Sequence, residues 1–400
     1  MGKNEVWITG MGIVSALGAG CDAHREAVQK SQTGLASHRF FEGKYGADFI
    51  CGMVPKSAFP PSIEDSAGDR ANRLAEMACR EALGQAGLDK IDQGIDASLI
   101  VGTTSSNFHG GTVYYGRKRT NQIPDVKLVS GFIPAAVADH VALHCNLTGR
   151  RRTVSSACAS GTTAIGHAFR LVASGRSTCV VAGGVDALCP FIVAGFNSLR
   201  LLSKKLCSPF DANRDGFNPG EGAAIVVIES ADSARARGVR ALGRISGYGE
   251  TLEAFHHTRS NPDGTGIASV MTKAMAQAGC GPETIDHVHC HGTATVINDL
   301  SEYNGMKLVF NDRLSRLPVC STKSMTGHTL GAAGAISAVF AVLSLADGIV
   351  PPTLSHENLD PQFLGLNVVQ QPETHDLRRV MTTSLGFGGE TASLLIEKAD

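Results

Sequence analysis

Neither sign of charge dominates this sequence: 36 basic residues stand against 37 acidic ones, a formal net charge of −1. A bulk basic field of the kind that holds nucleic acid is missing, and so is the acidic excess of a solvating chain. The 11 cysteines include no C-x-x-C pair, which argues against a zinc ribbon or a disulfide framework. They read as small apolar core residues of a reduced, cytoplasmic compartment. The N-terminus runs directly into a strand-like segment and lacks the charged and apolar regions of a signal peptide. No apolar run reaches the roughly 18 residues of a membrane span. Neither a membrane nor a nucleic acid is expected as a partner.

What is present is glycine, 46 residues in 400 without a collagen-like period, and a 43% hydrophobic content large enough for a sizeable core. Short β-branched runs alternate with longer Ala-rich stretches, the α/β pattern. Strands are predicted at 6–9, 98–102, 153–155, 179–183, 223–229, 285–290, 317–321 and 392–397, and helices at 70–86, 161–173, 266–278, 300–310 and 331–346. A charged stretch at 231–238, followed by a new strand from 241, divides the chain into halves 1–240 and 241–400. Segments 153–175 and 319–348 share one plan: strand, small-residue turn, Ala-rich helix ending in Gly. That echo suggests a duplicated α/β unit whose two turns meet at a shared site.

Four motifs carry candidate chemistry. Cys158 stands in SSACASG between a strand and a helix, where small neighbours permit a sharp turn and the helix N-terminus favours a thiolate and an adjacent oxyanion. A buried structural thiol is the competing reading. His287, His289 and His291 alternate along a predicted strand and so share a face. A zinc or iron site is the rival reading there, but His291 precedes Gly292-Thr293 at the strand end and no fourth ligand stands nearby. Lys323 and His328 lie five positions apart before an apolar helix; a lysine near an imidazole disfavours the imidazolium. Gly386-Phe387-Gly388-Gly389 demands close backbone packing around one aromatic. Gly10-Met11-Gly12 opens like a dinucleotide fingerprint, but Ser15 occupies the third glycine's place, so NAD binding is rejected.

In this order and spacing the motifs resemble the β-ketoacyl synthase family of condensing enzymes. The resemblance also takes in ITGMGIVSALG from Ile8, SPFDANRDGFNPGEGAA from Ser208 and HGTAT from His291. It implies a thiolase-like, five-layered αβαβα fold of two pseudo-duplicated halves. It further implies decarboxylative Claisen condensation of an acyl group on Cys158 with malonyl-acyl carrier protein, in fatty-acid, polyketide or polyene chain elongation. Backbone N–H groups of Cys158 and Phe387 would form an oxyanion hole, with Phe387 as gate. His291 and His328 would hold the enolate oxygen, and Lys323 would tune His328 within a network including Asp299 and Glu302. Thr293 and Thr295 match positions that hold the pantetheine arm, and Phe196 and Phe132 positions that line the acyl pocket. No metal or cofactor is implied beyond the phosphopantetheine of the carrier protein. Arg200, Lys204, Lys205 and Lys127 are the docking candidates. A homodimer is expected, its acyl pocket bordering the partner subunit with Phe132 and Ile133 as the pocket-facing candidates, or a heterodimer with a ketosynthase-like subunit.

Departures from the family pattern are Leu385 before GFGG, Glu390-Thr391 after it, Ser337 in place of a glutamate, and uncharged residues at 66–68. They suggest a specialised pathway. The alternative function is a chain-length-factor-like partner subunit, against which Cys158 argues. A thiolase would need a second cysteine near the C-terminus, and the last one is Cys320.

Overall fold

Apolar runs covered on both faces build the first-half strands β1 (Val6–Ser15), β2 (Ser98–Gly102), β4 (Cys179–Asp186) and β5 (Gly222–Ser230), with β3 (Arg151–Val154), whose two arginines are exposed, at the edge. The second half supplies β6 (Gly243–Leu252), β7 (His287–His289), β8 (Val319–Cys320), β9 (Arg379–Leu385) and β10 (Glu390–Glu397). The computed structural model describes residues 4–41, 46–60, 69–89 and 94–399. Outward from the junction the order is β1-β5-β4-β2-β3 on one side and β6-β10-β9-β7-β8 on the other. On each side the outer three strands are parallel and the inner pairings antiparallel. The duplication suggested by one motif echo is thus a duplication of the whole sheet topology. Trp7 pairs with Arg244 and Ile8 with Gly243, which joins the two sides.

Helix α1 (Arg70–Gln85) covers β1 and β5, while α3 (Thr265–Ala278), with α4 (Val296–Phe310) against it, covers β6 and β10. Between the sheets lie α2 (Ser160–Ala173) and α5 (Ala333–Asp347), which touch each other and strands of both halves. The layers are therefore αβαβα. A Cβ on Gly161 would stand 2.8 Å from the Gly331 carbonyl oxygen, and one on Gly184 2.4 Å from the same atom. These glycines let α2 and β4 close on the turn that precedes α5.

The apolar-run expectation needs correction. Leu330–Asp347 does reach 18 residues with a mean hydropathy of 1.8, but 89% of it is buried inside the fold. It is apolar all round because it is packed all round, as the middle layer requires. Strand β9 and the helices Phe108–Arg119, Ala135–His144 and Pro190–Ser198 were not predicted. In β9, Thr382, Thr383 and Ser384 are buried hydroxyls that disguise a core strand as a polar one.

Candidate active site

Strand β3 delivers the chain to a turn at Ser156–Ala159, and α2 begins at Ser160. Ala157 has φ 47°, a left-handed conformation costly for a residue with a Cβ. The turn is held from both sides: the Ser160 and Thr104 hydroxyls donate to the Ala157 carbonyl at 2.6 and 3.1 Å. Cys158, next in the chain, lines a cleft of about 230 Å³ with His291, His328, Phe196 and Phe387. Burial pushes its thiol up to about 12, opposed by the Lys323 charge and by the backbone N–H groups of Phe387 and Cys158. The thiol is the resting form. The Phe387 N–H comes this close because residue 386 is glycine: a Cβ there would lie 2.6 Å from the Ser156 carbonyl oxygen.

His291 follows β7 into a turn whose backbone is gripped by a carboxylate. Glu302 on α4 accepts the His291 N–H at 2.6 Å and the Gly292 N–H at 2.7 Å, and Thr383 donates its hydroxyl at 2.5 Å. Burial pushes Glu302 up to about 7 against the pull of these donors. Asp299, one turn earlier, accepts the N–H groups of Phe210 at 2.8 Å and Ala294 at 3.1 Å. The supporting carboxylates thus act on the HGTAT backbone itself.

Lys323 departs from expectation in its direct partner. Its Nζ lies 2.5 Å from the His291 carbonyl oxygen and 3.4 Å from His291 Nδ1, so it hydrogen-bonds His291 and reaches His328 only through its charge. Burial first and the Lys323 charge second hold both imidazoles well below their ordinary range, so both are neutral at pH 7. Their ring centroids are 5.2 Å apart at 86°. Phe217 of the 208–224 motif packs edge-on to His328 at 5.1 Å.

Thr293 and Thr295 line the cleft, with their hydroxyls 2.9 Å apart. Phe196, on the helix Pro190–Ser198, lines it too, 6.2 Å from the Phe387 ring. Phe132 does not: it packs on Phe108 at 4.9 Å and is 41% exposed, outside the cleft lining. Arg200 lines the cleft and Lys204 is exposed. Lys205 donates its ammonium to the Asn213 carbonyl, and Lys127 lies exposed on the short helix Lys127–Ser130. Residues 66–68 lie outside the described residues. Of the departures, Leu385 lines the cleft, Ser337 and Thr391 are buried, and Glu390 is half-buried.

The three-histidine metal reading fails on geometry. His287 and His289 remain on the strand face, while His291 turns away to the cleft beside Cys158. Sequence reasoning also missed Asp186. Its carboxylate accepts the Thr103 and Ser105 hydroxyls, the Thr104 and Ser105 N–H groups, and the Gly331 N–H at 2.6 Å. It ties the first-half loop beside the Cys158 turn to the second-half turn after His328. An acid closing an otherwise apolar strand was the available signal.

A duplicated αβαβα frame with a buried thiol at one central turn and paired neutral imidazoles from the other half is that of the thiolase-type condensing enzymes. Family models agree: one described as "Beta-ketoacyl synthase, N-terminal domain" matches residues 3–234, and "Beta-ketoacyl synthase, C-terminal domain" matches 242–357. The chain belongs to the β-ketoacyl synthase family. It is 34% identical to 3-oxoacyl-[acyl-carrier-protein] synthase 2 of Staphylococcus aureus strain N315, across 100% of this chain and 99% of that protein. Among solved structures it superposes on the ishigamide ketosynthase/chain length factor with a TM-score of 0.91 and 31% identity, covering 100% of both chains. A second is AntDE:AntF, a type II PKS acyl-carrier protein in complex with its ketosynthase, with a TM-score of 0.91, 25% identity, and coverage of 99% of this chain and 100% of that one.

Proposed function

We propose that the cleft performs decarboxylative condensation between an acyl group carried on Cys158 and a malonyl group on acyl carrier protein, giving a 3-oxoacyl product. The observation that carries this reading is the placement of the Cys158 thiol in one cleft with two neutral imidazoles. In the first step the Cys158 sulfur bonds to the acyl carbonyl, the bond to the carrier's pantetheine sulfur breaks, and that thiol leaves with the proton. The N–H groups of Cys158 and Phe387 receive the transient oxyanion. The thiol's high pKa makes their help, and that of the α2 N-terminus, a requirement for reaction near neutrality.

In the second step the malonyl C–C bond breaks and CO2 leaves. His328 accepts the Leu330 N–H on Nδ1, and His291 Nδ1 faces the Lys323 ammonium. Each ring therefore presents Nε2–H, a donor to the developing enolate oxygen. The enolate carbon then bonds to the acyl carbonyl of the Cys158 thioester and expels the Cys158 sulfur as a thiolate, which takes up one proton from solvent to restore the thiol. Thr293 and Thr295 hold the pantetheine arm, Phe387 gates the cleft, and Phe196 bounds the acyl end. The halves 1–240 and 241–400 each contribute one side of the reaction. A cytoplasmic dimer, homomeric or with a ketosynthase-like subunit, completes the proposal; exposed Ile133 and Phe132 are its apolar contact candidates.

The presence of Cys158 favours catalysis over a chain-length-factor role. The test is intact-mass spectrometry of the protein after incubation with a panel of acyl-carrier proteins. An acyl adduct on Cys158 that disappears in Cys158→Ala is expected. No adduct from any carrier substrate, in a folded protein, supports the partner-subunit reading instead.

A further inference from the structure

His287 and His289, freed from the active-site reading, share a buried face with Cys320 on β8, where His289 and Cys320 are register partners. One ligating atom from each of the three lies within 4.8 Å of the other two. His287 Nδ1 is 2.9 Å from the Pro318 carbonyl oxygen and must donate to it, which leaves the Nε2 lone pair facing Cys320 Sγ at 3.6 Å. Two ligands on one ion, with metal–nitrogen near 2.05 Å and metal–sulfur near 2.3 Å, stand about 3.6 Å apart at a tetrahedral angle and about 3.8 Å apart at the trigonal angle of a three-coordinate ion. His289 Nε2 meets the Thr322 hydroxyl at 3.0 Å, and its Nδ1 is buried without a partner among the described residues. Placing the ring proton on Nε2 gives Nδ1 a lone pair and avoids an unpaired buried N–H. Two lone pairs and a thiol therefore meet on one buried strand face, with the thiol and His287 Nε2 in hydrogen-bond contact and His289 Nδ1 without a partner among the described residues.

We propose that His287 Nε2, His289 Nδ1 and Cys320 Sγ form a binding site for one soft monovalent cation, Cu(I). Thiolate and imidazole are the ligands such an ion selects. Three ligands satisfy it, whereas zinc takes four. Charge points the same way. Cu(I) with one thiolate is neutral, while a divalent ion would bury a net positive charge close to Lys323, whose ammonium already acts on His289 and Cys320. On binding, the Cys320 S–H bond breaks, a Cu–S bond forms and the proton passes to solvent; no oxidation state changes. The other histidine cluster, Glu76, His140 and His144, is a weaker candidate, because Glu76 is already paired with Arg80 and His140.

The test loads the full-length protein with Cu(I) anaerobically, washes it with bicinchoninate, a chromophoric Cu(I) chelator, and measures retained metal and the copper X-ray absorption spectrum. One equivalent of copper with one sulfur and two nitrogen ligands is expected, and Cys320→Ala and His289→Gln should each retain one equivalent less. Equal retention in the variants, no retained copper in the parent, a shell of sulfur alone, or retention of zinc in preference to copper overturns the proposal. Should a variant fail to fold, the ligand count in the parent protein decides.

Discussion

The Leu330 N–H donates to Nδ1 of His328 across 3.2 Å, and this contact sets the tautomer of the ring. A neutral imidazole that accepts on Nδ1 carries its proton on Nε2. Burial and the Lys323 charge keep His328 well below its ordinary pKa, so the same donor persists through neutral pH. Nitrogen NMR of selectively labelled histidine should show an Nε2-protonated, neutral His328 signal that does not titrate between about pH 6 and 8. An imidazolium or Nδ1-protonated signal would refute the assignment.

Glu302→Gln tests whether the buried carboxylate positions His291. Glu302 accepts two backbone N–H groups and the Thr383 hydroxyl. An amide turns one of its oxygens into a donor facing another donor, at a cost of about 1–3 kcal/mol. A lowered thermal midpoint is expected, with decarboxylation impaired more than acylation of Cys158. Unchanged stability and activity would show that the carboxylate is dispensable.

Acid should weaken the fold before it reaches ordinary carboxylate values. Burial lowers eight imidazoles, with His24 and His287 at about 4, His289, His291 and His328 well below the usual 6.5, and His109, His140 and His356 lowered as well. Below 6.5 the unfolded chain therefore binds more of these protons, and stability falls as pH drops. Glu302, raised by burial to about 7, works in the opposite direction between about 7 and 4.5; Glu253 and Glu390, also raised, oppose nearer 4.5, and Asp186 and Asp299 nearer 3.8. Between about pH 7 and 5 the eight imidazoles outweigh these carboxyls. The thermal midpoint at about pH 5 should lie below that at about pH 7; a higher one would contradict the burial of neutral histidines.

Carrier docking should depend on the basic rim. Arg200 lines the cleft and Lys204 is exposed. Changing both to Glu should raise KM for a carrier-bound substrate and leave a small thioester mimic nearly unaffected. An equal effect on both substrates would show that these residues act on folding or on the chemistry of the cleft and not on carrier docking.

The turn motifs were legible because their chemistry is local: small residues flank Cys158, and His291, Lys323 and His328 each sit where a strand or short turn ends. The partners of those groups were not local. Lys323 meets His291 rather than the nearer-in-sequence His328, because β7 and β8 are parallel neighbours that bring residues 291 and 323 together. Strand β9 was hidden by its hydroxyls, two of which find partners across the fold, Ser384 with Thr162 at 2.7 Å and Thr383 with Glu302. The contact of Phe132 with Phe108, and of Phe108 with Phe191, was not legible because it joins a turn to two helices far apart in the chain, which no single periodicity reveals.

The central claim separates the nucleophile from the decarboxylation donors, and one paired assay tests it: CO2 release from malonyl-acyl carrier protein, followed beside the acyl mass shift on residue 158. Cys158→Ala should abolish the mass shift and leave CO2 release measurable, since that step uses the imidazole donors. His328→Ala should cut CO2 release by about 100-fold or more, the usual consequence of removing one donor to a developing oxyanion, while acylation of Cys158 survives. Loss of all CO2 release in Cys158→Ala together with its retention in His328→Ala would contradict the account.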